Sequence, residues 1–95
     1  MAQIPVNIST SGDNTVIPAQ TGKTIRVSNI VLSLAGETTV QFKSGTQALS
    51  GLQTGLKFIL ESPGFPGYVM NKEQAFVISL GAAIQTGGTI WFEYI

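Results

Sequence analysis

The sequence predicts an all-β fold: a single compact β-sandwich of about eight antiparallel strands, jelly-roll-like in character. Three observations predict it. Short runs rich in Val, Ile, Thr and Phe, residues that suit a pleated half-buried surface, recur along the chain. The eleven Gly and four Pro that punctuate these runs are spread out rather than collected in one linker. Nowhere do apolar residues keep an i, i+3, i+4, i+7 spacing for three turns, so no helix longer than a turn is expected. A chain of 95 residues makes one domain, spanning 1–95, with residues 1–8 as an N-terminal edge strand or arm. Surface scaling leaves it a thin core, with roughly 64% of its unfolded surface buried.

Each element follows from local pattern. Residues 3–8 alternate, with Ile4, Val6 and Ile8 on one face. Pro5 cannot donate a ladder hydrogen bond, which makes this strand an edge. Residues 11–14, Ser-Gly-Asp-Asn, have turn chemistry, and residues 15–19 form a short strand with a second edge-type proline, Pro18. Residues 20–23 turn the chain into the longest strand, 24–34. Its apolar phase slips: Ile25 and Val27 share one parity, Ile30, Leu32 and Leu34 the other. A slip of one residue requires a bulge, placed at Ser28-Asn29. Residues 35–37 form a tight turn into 38–43, predicting a hairpin. Residues 44–55 are polar and Gly-rich, pinned by Leu49 and Leu52. A strand follows at 56–60, then a stiff Pro/Gly turn at 62–67, brief pairing at 68–70, and a turn at 71–74. Strands at 75–80 and 89–95 are separated by a Gly87-Gly88 turn, and the last ties the C-terminal end into a sheet.

Composition excludes more than it suggests. There is no Cys and no His, hence no disulfide framework, no thiolate nucleophile, and neither the commonest general base nor the commonest transition-metal ligand. Five basic and five acidic side chains cancel. So few cations cannot neutralise many phosphates, so no nucleic-acid partner is expected. No apolar run approaches a membrane span, and the start has no basic n-region, so neither a membrane partner nor a signal peptide is expected. Gly22-Lys23-Thr24 ends like a P-loop, but position 17 is Ile rather than Gly and a strand, not a helix, is expected to follow. The carboxylates Asp13, Glu37, Glu61, Glu73 and Glu93 read as solvated charges, mostly beside turns, rather than a catalytic pair. No enzyme activity, cofactor or metal is expected. Gln-Thr-Gly occurs at 20–22, 53–55 and 85–87, each time before a strand. The segments between do not align, so this reads as reuse of turn residues rather than a threefold repeat.

The aromatics divide by strand parity. Phe42, Phe58 and Phe76 fall on inward phases. Trp91 and Phe92 are neighbours, so they face opposite sides of the last strand. With Ile90, Phe92 and Ile4 in the core, Trp91 and Ile95 lie on the other face with Thr89 and Glu93. Large apolar residues on both faces of one strand imply burial on both, most simply by a neighbouring copy of the chain. Zero net charge, poor for a free monomer, agrees. The protein-contact candidates are therefore Ile4 and Pro5 in the arm, Phe65, Pro66 and Tyr68 in and beside the Pro/Gly loop, and Trp91.

Residues 6–15, Val-Asn-Ile-Ser-Thr-Ser-Gly-Asp-Asn-Thr, are followed by Gly22-Lys-Thr-Ile-Arg-Val27. Val40-Gln-Phe-Lys-Ser-Gly45 comes next with Leu49-Ser-Gly51, and Gly88-Thr-Ile-Trp-Phe-Glu-Tyr94 closes the chain. Together they resemble small structural proteins of tailed bacteriophages. The likeness runs across nearly the whole chain, except the Pro/Gly-rich insert 62–67. It implies a capsid decoration (cement) protein: a homotrimeric jelly roll, made in the host cytoplasm and carried on the virion, with the major capsid protein as partner. A tail or receptor-binding knob, or a carbohydrate-binding β-sandwich using Phe65, Tyr68 and Trp91, is the alternative.

Overall fold

The backbone pairs over distances that no local signal announces. A computed structural model describes residues 2–49, 53–55, 58–61 and 68–95. Among them are ten strands and no helix: β1 (Ala2–Ile8), β2 (Gly12–Ile17), β3 (Ile25–Leu34), β4 (Thr38–Ser44), β5 (Gln47–Ala48), β6 (Gln53–Gly55), β7 (Phe58–Glu61), β8 (Tyr68–Val69), β9 (Phe76–Leu80) and β10 (Thr86–Tyr94). They form two antiparallel sheets. The first runs β1-β10-β3-β7, with β8 also on β3; the second runs β2-β9-β4-β5, with β6 also on β4.

The pairing is nested. β1 pairs β10, β2 pairs β9, β3 pairs β7 and β8, and β4 pairs β5 and β6. This long antiparallel ribbon is rolled up by two further pairings, β10 with β3 and β9 with β4. Counting β5 with β6 and β7 with β8 as interrupted strands gives eight positions in the order of a jelly roll. The β-sandwich is as predicted, while the strand count rises to ten because two edge positions are each split.

Alternation builds the core. In β4 the inward row Thr38, Val40, Phe42 and Ser44 is buried. In β9 it is Phe76, Ile78 and Leu80, and in β10 Thr86, Ile90 and Phe92. In β3, Ile25 and Val27 are buried on one parity and Ile30, Leu32 and Leu34 on the other. The predicted bulge explains it: Asn29 faces Trp91 while Val27 faces Phe92, leaving Ser28 as the extra residue. The Ser28 hydroxyl donates to the Trp91 carbonyl at 3.2 Å. Phe42 lies at the centre, its ring 5.9 Å from both Phe76 and Tyr68 and so bridging the two sheets.

The buried hydroxyls bind turns to strands, which satisfies groups that burial would otherwise penalise. Thr38 Oγ1 accepts from the Ala82 amide at 3.1 Å, and Ser44 Oγ from the Asn71 amide at 2.9 Å. The far end of the last strand is tied in as expected, Ile95 and Thr24 exchanging backbone hydrogen bonds at 2.7 and 2.9 Å.

Three local expectations are corrected. β3 and β4 are not a hairpin: they belong to different sheets, and the tight turn between them carries the chain across the sandwich. β2 begins at Gly12, earlier than expected. The turn-forming Asn14 stays in the strand, its side-chain amide donating to the Thr10 carbonyl at 2.8 Å and so serving the preceding turn instead. Gly87 and Gly88 lie inside β10 rather than in a turn, because Gly88 passes tightly against the β3 backbone at Val31 and Leu32. The three Gln-Thr-Gly segments differ in setting: a turn at 20–22, the short strand β6, and the entry into β10, which already contains Thr86 and Gly87. The expected strand at 56–60 appears as β7, at Phe58–Glu61. Leu52 and the turn at 62–67 lie outside the described residues, as does the Phe58 side chain.

Candidate functional site

Among the described residues, every sheet edge is blunted. In antiparallel pairing, alternate residues point their N–H toward the partner and away from it. A proline fits only where the N–H would point away, so Pro5, opposite Thr89, removes a donor from the open edge of β1. β2 carries an irregularity at Val16 and is followed by Pro18. The remaining edge positions hold the short pairs β5 with β6 and β7 with β8. Short, bulged and proline-bearing edges resist strand addition.

The two outer faces differ. On the second sheet, Thr15, Val77 and Lys43 form one cross-strand row, and Asp13, Ser79 and Gln41 the next. Lys43 Nζ meets both Asp13 carboxylate oxygens, at 3.0 and 3.1 Å. Since Lys43 is on β4 and Asp13 on β2, the lysine stem must cross β9. Val77, which points outward, is only 5% exposed. A long side chain that lies over apolar surface while its charge stays wet supplies this cover. The face seals itself.

The hydrogen bond from Lys43 holds the Asp13 carboxyl below its ordinary value of 3.8; desolvation opposes it, and a hydrogen bond with Ser79 and the charge of Lys43 add smaller lowering effects. A depressed carboxyl pKa stabilises the fold while the group is ionised, and that gain disappears as pH falls through the folded-state value. Wild type is therefore expected to melt above Asp13→Asn at neutral pH, the two melting curves converging below about pH 3.8. A gap unchanged down to pH 2 would exclude this role for the pair.

The outer face of the first sheet is made differently. Its rows are Gln3, Trp91 and Asn29; Pro5, Thr89 and Val31; and Glu93, Arg26 and Val69. Trp91 is half-buried, as is Val31. The two large hydrophobic residues with the greatest exposure among the described residues, Val69 at 39% and Ile95 at 55%, lie at the end where the chain finishes. Arg26 Nε donates to Glu93 Oε1 at 2.7 Å, and its Nη2 makes a second contact with the same oxygen. This ion pair, beside Trp91, leaves the described residues of the face without net charge.

The contact candidates separate accordingly. Pro5 and Trp91 share this outer face. Ile4 and Tyr68 are packed on the core instead, Ile4 because it follows the inward parity of Val6 and Tyr68 because its ring meets Phe42. Phe65 and Pro66 lie outside the described residues. Sequence reading overlooked Arg26, Val31 and Val69. For Arg26 and Val31 the signal was available as outward parity in β3; Val69 lies in a strand of two residues, which shows none. Among the described residues no three His, Cys, Asp or Glu side chains come together as metal ligands would. No family model, curated protein or solved structure matches the chain.

Proposed function

We propose that the protein is a structural component of a tailed-bacteriophage particle, a decoration protein that docks on the capsid exterior as a homotrimer with the major capsid protein as partner. The observation that carries this reading is β10. It lies inside the first sheet, buries Ile90 and Phe92 in the core, and places the half-buried Trp91 on the outer face. The blunted edges support it, because a module present in many copies must not polymerise through its strands. The mechanism is linkage: a ligand that binds only the assembled shell stabilises that shell. Cryo-EM of virions made with and without the chain tests the proposal. Ordered density on the capsid exterior, and a lower melting temperature of capsids lacking it, are expected. Density confined to the tail would overturn the head assignment.

The glycan-binding reading keeps one supporting feature, the half-buried Trp91 ring between Gln3 and Asn29. Tyr68 no longer serves it, being engaged with Phe42. A glycan array probed with wild type and Trp91→Ala separates the two readings.

A further inference from the structure

We infer that the outer face of the first sheet, centred on Trp91 and including Pro5, Val31, Thr89 and the Arg26–Glu93 pair, is where copies of this chain meet. The inference rests on the homo-oligomeric part of the proposed function and names the surface responsible.

A second copy fits this face for three reasons. The first is charge. Arg26 and Glu93 neutralise each other within one molecule. Such a face can meet a neighbouring copy of this zero-net-charge chain, head-to-tail as a trimer requires, without the like-charge repulsion that a strongly acidic or basic patch would impose. A partner chosen by charge would instead find nothing here to select it.

The second is area. The molecule measures 36 × 22 × 21 Å. A sheet face of these dimensions offers on the order of 800 Å², the area each partner contributes to a standard stable interface. An aromatic anchor at its centre, with a polar rim supplied by Gln3, Asn29 and Ser33, matches the anatomy of such interfaces.

The third is contrast within the molecule. Val77 on the opposite outer face is covered by the protein's own Lys43. On the first sheet the Arg26 cation is engaged by a carboxylate in the neighbouring strand, and Val69 in the same row stays 39% exposed. The edges, as described, do not offer strand addition as a competing mode of association.

The test uses the full chain and its single tryptophan. Native mass spectrometry and sedimentation at micromolar to millimolar concentration should give a multiple of 10.0 kDa. Dilution through the dissociation constant should shift the Trp91 emission to the red as water reaches the ring. Trp91→Thr and, independently, Thr89→Glu should each give a 10.0 kDa particle whose circular dichroism is that of the parent. Thr15→Glu on the opposite sheet should leave the oligomer intact. An oligomer that survives both first-sheet variants overturns this face while leaving the homo-oligomer standing. A wild type that is monomeric throughout, with emission independent of concentration, overturns both. Emission that responds only when capsids are added assigns the face to the capsid protein and overturns self-association.

Discussion

Gly88→Ala is expected to destabilise the fold severely. A Cβ at this position would collide with the Val31 carbonyl oxygen and lie 2.9 Å from its carbonyl carbon and 3.0 Å from Leu32 Cα. All three are backbone atoms of β3, so no side chain can swing away. β10 and β3 would have to separate at the middle of the first sheet, costing at least about 3 kcal/mol. A chain of 95 residues has only about 5–14 kcal/mol in total. Gly87→Ala is the internal control. There the nearest atom to a new Cβ is the Val6 carbonyl oxygen at 3.5 Å, an ordinary contact, so this variant should stay within about 1 kcal/mol of wild type. Urea titrations of the two variants decide the matter; equal midpoints would refute the close approach.

Phe42→Ala is expected to cost about 4 kcal/mol, the largest effect of any side-chain truncation in the core. Phe42 is fully buried. It stacks with Phe76 at an interplanar angle of 23° and meets Tyr68 from the other sheet. Removing it leaves a void bounded by two strands of the second sheet and one of the first, and sheets held by backbone ladders cannot collapse into it. Phe42→Leu, which keeps most of the volume, should lose far less. A loss below 1 kcal/mol for the alanine variant would mean that the two sheets do not depend on this contact.

The fold class was readable because period-two alternation depends only on neighbours in sequence. The same property exposed the Ser28 bulge: Val27 and Ile30 can both face the core only if one residue between them is left out of the pairing. What could not be read is where each strand finds its partner. A glycine-containing turn such as residues 35–37 looks alike whether the strands it joins pair or part, and only the burial of both β3 and β4 in opposing sheets decides the question. Gly87-Gly88 misled for a related reason. Glycine serves turns and close backbone approaches equally well, and the approach here involves β3, more than fifty residues earlier. Parity also put Trp91 on the outer face of β10, opposite Phe92. The packing of Tyr68 on the core could not be read, because its strand is two residues long, too short for any alternation to show.

The nested order of pairing also governs when this chain can fold. Ala2 pairs with Phe92 and Asn29 with Trp91, so the first sheet has no centre until nearly the last residue of the domain exists. Loop-closure entropy must be met before such distant pairs give anything back, which places folding in the millisecond-to-second range typical of all-β domains rather than the microseconds of helical bundles. A chain still being synthesised would hold β3 and β4 ready with their partners missing. The neutral, weakly charged sequence is then most exposed to aggregation just before β10 arrives, and a truncation of only the last strand should yield insoluble protein rather than a smaller domain.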